Sequence, residues 1–444
     1  GLEALTGTAC DNHTAAPRID IIDVRSEPHV YVNGLAYFVA PKQSVFQSRA
    51  HQMNVAGSAM EDMERRLKAD VEAEVAANDG TIELLIADPS TKETESHTIK
   101  VTRVQTPREH CESLQVPKPL VYRRLPVAVG SSFSVLSVHP IIDAAASSPT
   151  NAVAIVLDSL GGLRATVALN IFLLARLAQI RPLNSVGTAE EVAHALAVNE
   201  YAQAVTANVC YGGDEEEEIV RSAGFKKELM VAANLGQMLA AGGVLMTTEA
   251  VVEVCGRGRE WNLLDRCNIF ASAMSSTVGN ARESASSEAV ATAATYLYVY
   301  LASVYLNEVL GARTTERFEH WVRDLPEIGL LMEKLREHPK AGLKFVEPQN
   351  LFLETDRGPV ERRRGNVLTS NYGLKADHFP GAIRKNMVPQ IPGVPNYRKV
   401  PHVNVYGVGI PTRRGVHNLL RVLGAEDKAL DLCGEAQQDP EIVP

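Results

Sequence analysis

Residues 152–180 read AVAIVLDSLGGLRATVALNIFLLARLAQI, and the change of character inside them decides the fold. Ala152–Leu157 is a short apolar run with β-branched residues, the pattern of a buried strand. Leu163–Ile180 follows as a helix. Between them Gly161 and Gly162 form a tight junction that can aim backbone N–H groups and a helix N-terminus at an anion or oxyanion. Working outward, further helices are expected at Ala189–Ala207, Glu216–Ala241 and Ser286–Leu310, the last capped by Ser286 or Ser287 and ended by Gly311. A shorter helix starts at Thr314 or Thr315 and halts before Pro326, and another covers Ile328–His338 up to Pro339.

Upstream the pattern alternates between strand and helix. Ile19–Val24 and His29–Val39 read as strands. Val55–Ala77 carries Met60, Met63, Leu67, Val71 and Val75 at spacings of three and four, an amphipathic helix that Asn78-Asp79-Gly80 stops. Thr81–Ala87 and His97–Val104 read as a hairpin. The expected class is α+β: a mixed strand and helix region over 1–150, a predominantly helical, Ala-rich body over 151–340, and an extended Pro/Gly-rich C-terminal arm over 341–444.

The 444 residues are 45% apolar and 22% charged, the balance of an ordered globular protein, and only 5% aromatic. The six cysteines are scattered without a CxxC, which points to reduced thiols in an intracellular setting. Gly1 in place of Met is read as trimming or proteolytic maturation. Ala289–Val309 is long enough to cross a bilayer, yet four tyrosines along it favour a buried helix, so no membrane partner is expected.

No P-loop, dinucleotide fingerprint, nucleophile elbow or kinase set is present. The dispersed histidines lack zinc spacing, so no metal and no cofactor is expected. Asp214–Glu218 reads as the acidic first turn of a helix, and Cys255-Gly256-Arg257-Gly258-Arg259 as a basic turn ending one. The string Val156–Leu163 is similar to the Asp-Ser-Pro-Gly-Gly turn of the Clp and signal-peptide peptidase A serine peptidases, which implies an oxyanion site there. Leu160 replaces the proline of that pattern, and Tyr201–Gly213 supplies Cys210 but no serine nucleophile. No catalytic residue is assigned, and the chain is expected not to be an enzyme.

Charge is segregated. From Lys340 to Arg421 there are 14 Lys or Arg against 5 Asp or Glu, a balance of +9 in a chain whose net charge is −9. Arg362, Arg363, Arg364, Lys375, Arg384, Lys385, Arg398, Lys399, Arg413 and Arg414 are the candidates for subunit or RNA contact. In composition the chain resembles the helix-rich coat proteins of double-stranded RNA viruses, the totivirus-like group. That resemblance implies a self-assembling shell subunit, a large homo-oligomer with RNA as enclosed genome, found in the virion and in host cytoplasm during assembly. Two alternatives stand beside it: a nucleoprotein coating single-stranded RNA, and a hydrolase using the Gly161-Gly162 turn as oxyanion site.

Overall fold

A computed structural model of the protein describes residues 18–41, 55–87, 94–114, 119–128, 135–149, 152–159, 161–180, 182–185, 191, 242–255, 263, 292, 295–308, 316–325, 368, 372–376, 398–399, 405–409 and 419. These residues form a mixed α and β structure built on two sheets. In chain order the elements are β1 (Ile19–Asp23), β2 (His29–Val32), β3 (Leu35–Pro41), α1 (Gly57–Ala77), β4 (Thr81–Ala87), β5 (Thr94–Lys100), β6 (Val104–Gln105), α2 (Pro107–Glu112) and β7 (Leu120–Arg124). There follow α3 (Val138–Ser147), β8 (Val153–Asp158), α4 (Leu163–Ile180), α5 (Gly242–Cys255), α6 (Phe318–Arg323), β9 (Tyr372–Ala376), β10 (Arg398–Lys399) and β11 (Val405–Gly409).

The first sheet has the order β10-β11-β8-β1-β7, with β11, β8, β1 and β7 all parallel and β10 antiparallel at one edge. A parallel sheet is covered on both faces, and this one follows that rule. Ala154 and Val156 join Ile22 and Val24 in a core with α3, α4, α5 and helical residues 295–308. Val153 and Ile155 face the other way, among Ile19, Ile21, Tyr122, Tyr406 and Val408. Helix α4 is long and apolar enough to span a membrane by length and composition alone, but every residue from Ala165 to Leu177 is buried inside the protein. Tyr296, Tyr300 and Tyr305 are likewise buried, as the reading of that segment as a core helix expects.

The second sheet has the order β5-β4-β9-β3-β2-β6 and packs against α1 through Met60, Met63, Leu67 and Val71. The helix ends where expected, with Asp79 and Gly80 at φ +50° and +83°. One expectation is corrected here. His29–Val39 is not a single strand but the β2–β3 hairpin, because Asn33 and Gly34 take φ +51° and +79°, the left-handed pair that a two-residue turn requires. The expected hairpin is present, with Thr81 opposite Lys100, but its second strand is Thr94–Lys100 rather than His97–Val104.

Within 151–340 the described elements are β8 and helices, while β1 to β7 and β9 to β11 lie outside that range and make the described structure as a whole mixed α and β. The expected arm over 341–444 lies mostly outside the described residues. The parts that are described belong to the sheets: β9 sits between β4 and β3, and β11 pairs with β8. The helices expected at Glu216–Ala241 and Ile328–His338 fall outside the described residues, as does Ala189–Ala207 apart from Glu191, which is helical.

Candidate functional site

The C-terminal ends of β1, β7 and β8 lie side by side, with Asp23 opposite Arg124 on one flank and Leu157 on the other. In open sheets of parallel strands, ligands collect at this edge, where the loops leave the strand ends. Here the last residues of β1, β7 and β8, which are Asp23, Arg124 and Asp158, and the loop after β1 with Arg25 and Glu27 place buried charge side by side.

The β8 loop is the turn read from the sequence. Asp158 ends the strand, Gly161 takes φ +69°, and α4 begins at Leu163. The loop closes on the Asp158 side chain. Oδ1 accepts from the backbone N–H of Gly161 at 2.5 Å and of Gly162 at 3.0 Å, and Oδ2 accepts from Ala165 N–H at 3.0 Å. The first helical bond comes only after these, from Thr166 N–H to the Gly162 carbonyl at 3.0 Å. The donors that a helix start leaves without helical acceptors therefore converge on one buried carboxylate.

Arg164, six residues after Asp158, reaches across to the β1 loop. Its Nη1 donates to Ser26 Oγ at 2.9 Å and to Glu27 Oε2 at 2.5 Å. Glu27 is also tied down at its backbone, where its carbonyl accepts from Arg124 Nη2 at 2.9 Å. The β8 turn is thereby coupled to a second group of buried charges.

That second group is centred on Asp23. Its carboxylate accepts from Arg25 Nε at 2.9 Å, Arg25 Nη2 at 2.6 Å and the Tyr122 hydroxyl at 2.9 Å. Arg124 bridges onward from Arg25, whose carbonyl it meets through Nη1, to Glu64 Oε1, which it meets at 3.0 Å through Nε. His29 Nδ1 lies 3.2 Å from both the Glu27 carbonyl and Glu64 Oε1. Burial would raise the Asp23 carboxyl, but Arg25 and Arg124 overcome it and hold the group far below the usual carboxylate range. Glu64 goes the other way: burial pushes it up to about 7 against the pull of Arg124. Burial and then Arg25 hold His29 well below its ordinary value, so its ring is neutral.

Among the described residues, Cys111 is buried within the field of Asp23, and burial pushes its thiol up to about 12, where it is a poor nucleophile. Among the described residues no group of three His, Cys, Asp or Glu side chains is placed to hold a metal ion.

The residues singled out for charge fall elsewhere. Lys375 is buried on β9, with Nζ 5.3 Å from the centre of the Phe38 ring. Arg398 and Lys399 form β10 at the sheet edge. Arg362, Arg363, Arg364, Arg384, Lys385, Arg413 and Arg414 lie outside the described residues, as do Asp214–Glu218 and Arg257. Sequence reasoning found the turn but missed Arg164, Glu27 and the Asp23 network. The signal available was Asp23-Val24-Arg25-Ser26-Glu27-Pro28-His29, where charged or titratable side chains recur at every second position directly after an apolar strand.

Comparison with known proteins bears on the same region. A profile of the family described as PTP-like phytase, inositol hexakisphosphate, matches residues 22–176, which run from β1 through the β8 turn to the end of the buried part of α4. No curated protein matches. Among solved structures, the tandemly repeated protein tyrosine phosphatase like phytase from Mitsuokella multacida is similar at 18% identity over 37% of this chain and 25% of that chain, with a TM-score of 0.27. The chain thus spans about a quarter of the length of that protein. The profile match overturns the resemblance to a virus coat protein and, with it, the shell-subunit, virion and RNA-genome expectations. That resemblance rested on bulk composition, to which no particular residue was tied. The expectation that the chain is not an enzyme is overturned by the same match, which spans the Gly161-Gly162 turn.

Proposed function

We propose that this chain hydrolyses phosphate monoesters of the inositol polyphosphate class at the β8 turn. The observation that carries the reading is the ring of three backbone N–H groups around Asp158 at the start of α4, with Arg164 six residues on, inside the span matched by the phytase family profile. Such a ring at a helix N-terminus suits the equatorial oxygens of a phosphoryl group, and an arginine beside it offers further donors to the same oxygens. Ser26 and Glu27 position Arg164.

Asp158 is the group at the turn able to accept the phosphoryl group. Its carboxylate oxygen attacks phosphorus, the ester P–O bond breaks, and the leaving alkoxide takes a proton from solvent to depart as the alcohol. Water then attacks the phosphorus of the resulting acyl phosphate, which releases orthophosphate and restores the carboxylate.

The test is orthophosphate release from inositol hexakisphosphate and from p-nitrophenyl phosphate. Wild type is expected to turn over, Asp158→Asn to lose roughly 10³-fold or more, and Arg164→Met to lose activity mainly through weaker substrate binding. A phosphoenzyme trapped during turnover should be cleaved by hydroxylamine, as an acyl phosphate is. Wild-type release no faster than that of Asp158→Asn sinks the reading.

A further inference from the structure

We propose that the Asp158 carboxylate is the resting occupant of the phosphate site, an internal anion that the substrate must displace before the turn can hold it. This rests on the reading of the β8 turn as a phosphoryl site. Both carboxylate oxygens are engaged, one by Gly161 and Gly162 and the other by Ala165, so the N–H groups that would bind a phosphate are taken. The side chain is buried, and Gly161 at φ +69° lets the loop fold back over it. Two anions cannot share the ring. Like charges brought within about 4 Å of each other in a buried site repel strongly.

Charge on the far side is also already matched. Arg164 donates to Glu27 and Ser26, so the resting site carries an internal carboxylate and an arginine tied to another. The arrangement differs from a simple loop cap in what its removal does. A cap that is lost only loosens the turn, whereas an occupant that is lost vacates a binding site.

Displacement also links binding to reactivity. While Asp158 accepts three N–H bonds, its lone pairs are directed into the loop and its nucleophilicity is low. A phosphate that takes over those donors frees the carboxylate beside the phosphorus. The substrate then releases its own nucleophile, and the empty site stays closed.

The experiment measures binding of inorganic phosphate, and separately of inositol hexakisphosphate, to wild type and to Asp158→Ser by calorimetry. The shorter serine side chain vacates the ring, and the variant is expected to bind phosphate at least about tenfold more tightly, with Arg164→Met added to it abolishing the gain. A folded Asp158→Ser protein whose phosphate affinity equals that of wild type overturns the proposal. Should the variant not fold, wild type labelled with ¹⁵N-glycine and ¹³C-aspartate decides by NMR. Saturating inositol hexakisphosphate is expected to shift the Gly161 and Gly162 amides together with the Asp158 carboxyl, and amide shifts with a stationary carboxyl overturn it. Phosphate release by wild type with no affinity gain in Asp158→Ser removes this inference and leaves the hydrolase reading. An affinity gain without release by wild type does the reverse.

Discussion

Glu64 and His29 sit 3.2 Å apart inside the same buried network, and their titrations oppose each other. Glu64 has its carboxyl raised from 4.5 to about 7, so its stabilising contribution is complete below pH ~4.5 and fades as pH rises towards 7. His29 is depressed from 6.5, so its contribution is complete above pH 6.5 and fades as pH falls below it. Between these limits the two trends oppose each other and flatten the dependence of stability on pH. Glu64→Gln should abolish the fall towards neutrality, leaving stability that rises with pH up to 6.5 and then levels. His29→Asn should do the opposite, with stability falling steadily from pH 4.5 to 7. Urea midpoints measured across pH 4–8 check both, and parallel curves for the two variants contradict the shared network.

At the scale of elements, the start of α1 is pressed against the end of β7. A Cβ built on Gly57 would lie 1.9 Å from the Arg124 carbonyl oxygen, a backbone atom that cannot step aside. Gly57→Ala should therefore cost about 1–3 kcal/mol, seen as a lower urea midpoint, by pushing α1 away and loosening Glu64 from Arg124. A wild-type midpoint would show that α1 slides without cost. The elements also show what local pattern can reveal. The β8 turn and α1 were legible because glycine punctuation and apolar spacing act within a few residues. Asn33-Gly34 was equally legible and was passed over inside an apolar stretch. Glu64 and Arg124 were not, since each reads locally as a solvated charge. Only the fold brings Glu64 and Arg124 together across 60 residues of chain. Arg164 was hidden in the same way, as its partners Ser26 and Glu27 lie more than 130 residues upstream.

At the scale of the molecule, both sheets draw on opposite ends of the chain. β11 covers the outer edge of β8 and buries Val405, Tyr406 and Val408, while β9 joins β4 to β3 through Leu374. Ending the chain after residue 396 should strip β10 and β11 from the first sheet, bare the apolar edge of β8 and loosen the turn that follows it. The expected outcome is strong binding of a hydrophobic dye and a broad, non-cooperative unfolding transition. A truncated protein with a sharp transition at the wild-type midpoint contradicts this account of the sheet.

The placement of β9 and β11 has a consequence for synthesis on the ribosome. The strands β1 to β4 emerge early, yet neither sheet can be completed until residues 372–409 have been translated and have cleared the exit tunnel. At ~5–20 residues per second the nascent chain waits on the order of 20–80 s with unpaired strand edges. It is expected to depend on holding chaperones throughout that interval. A stalled chain ending near residue 370 should be degraded by cellular proteases, while the released protein resists them.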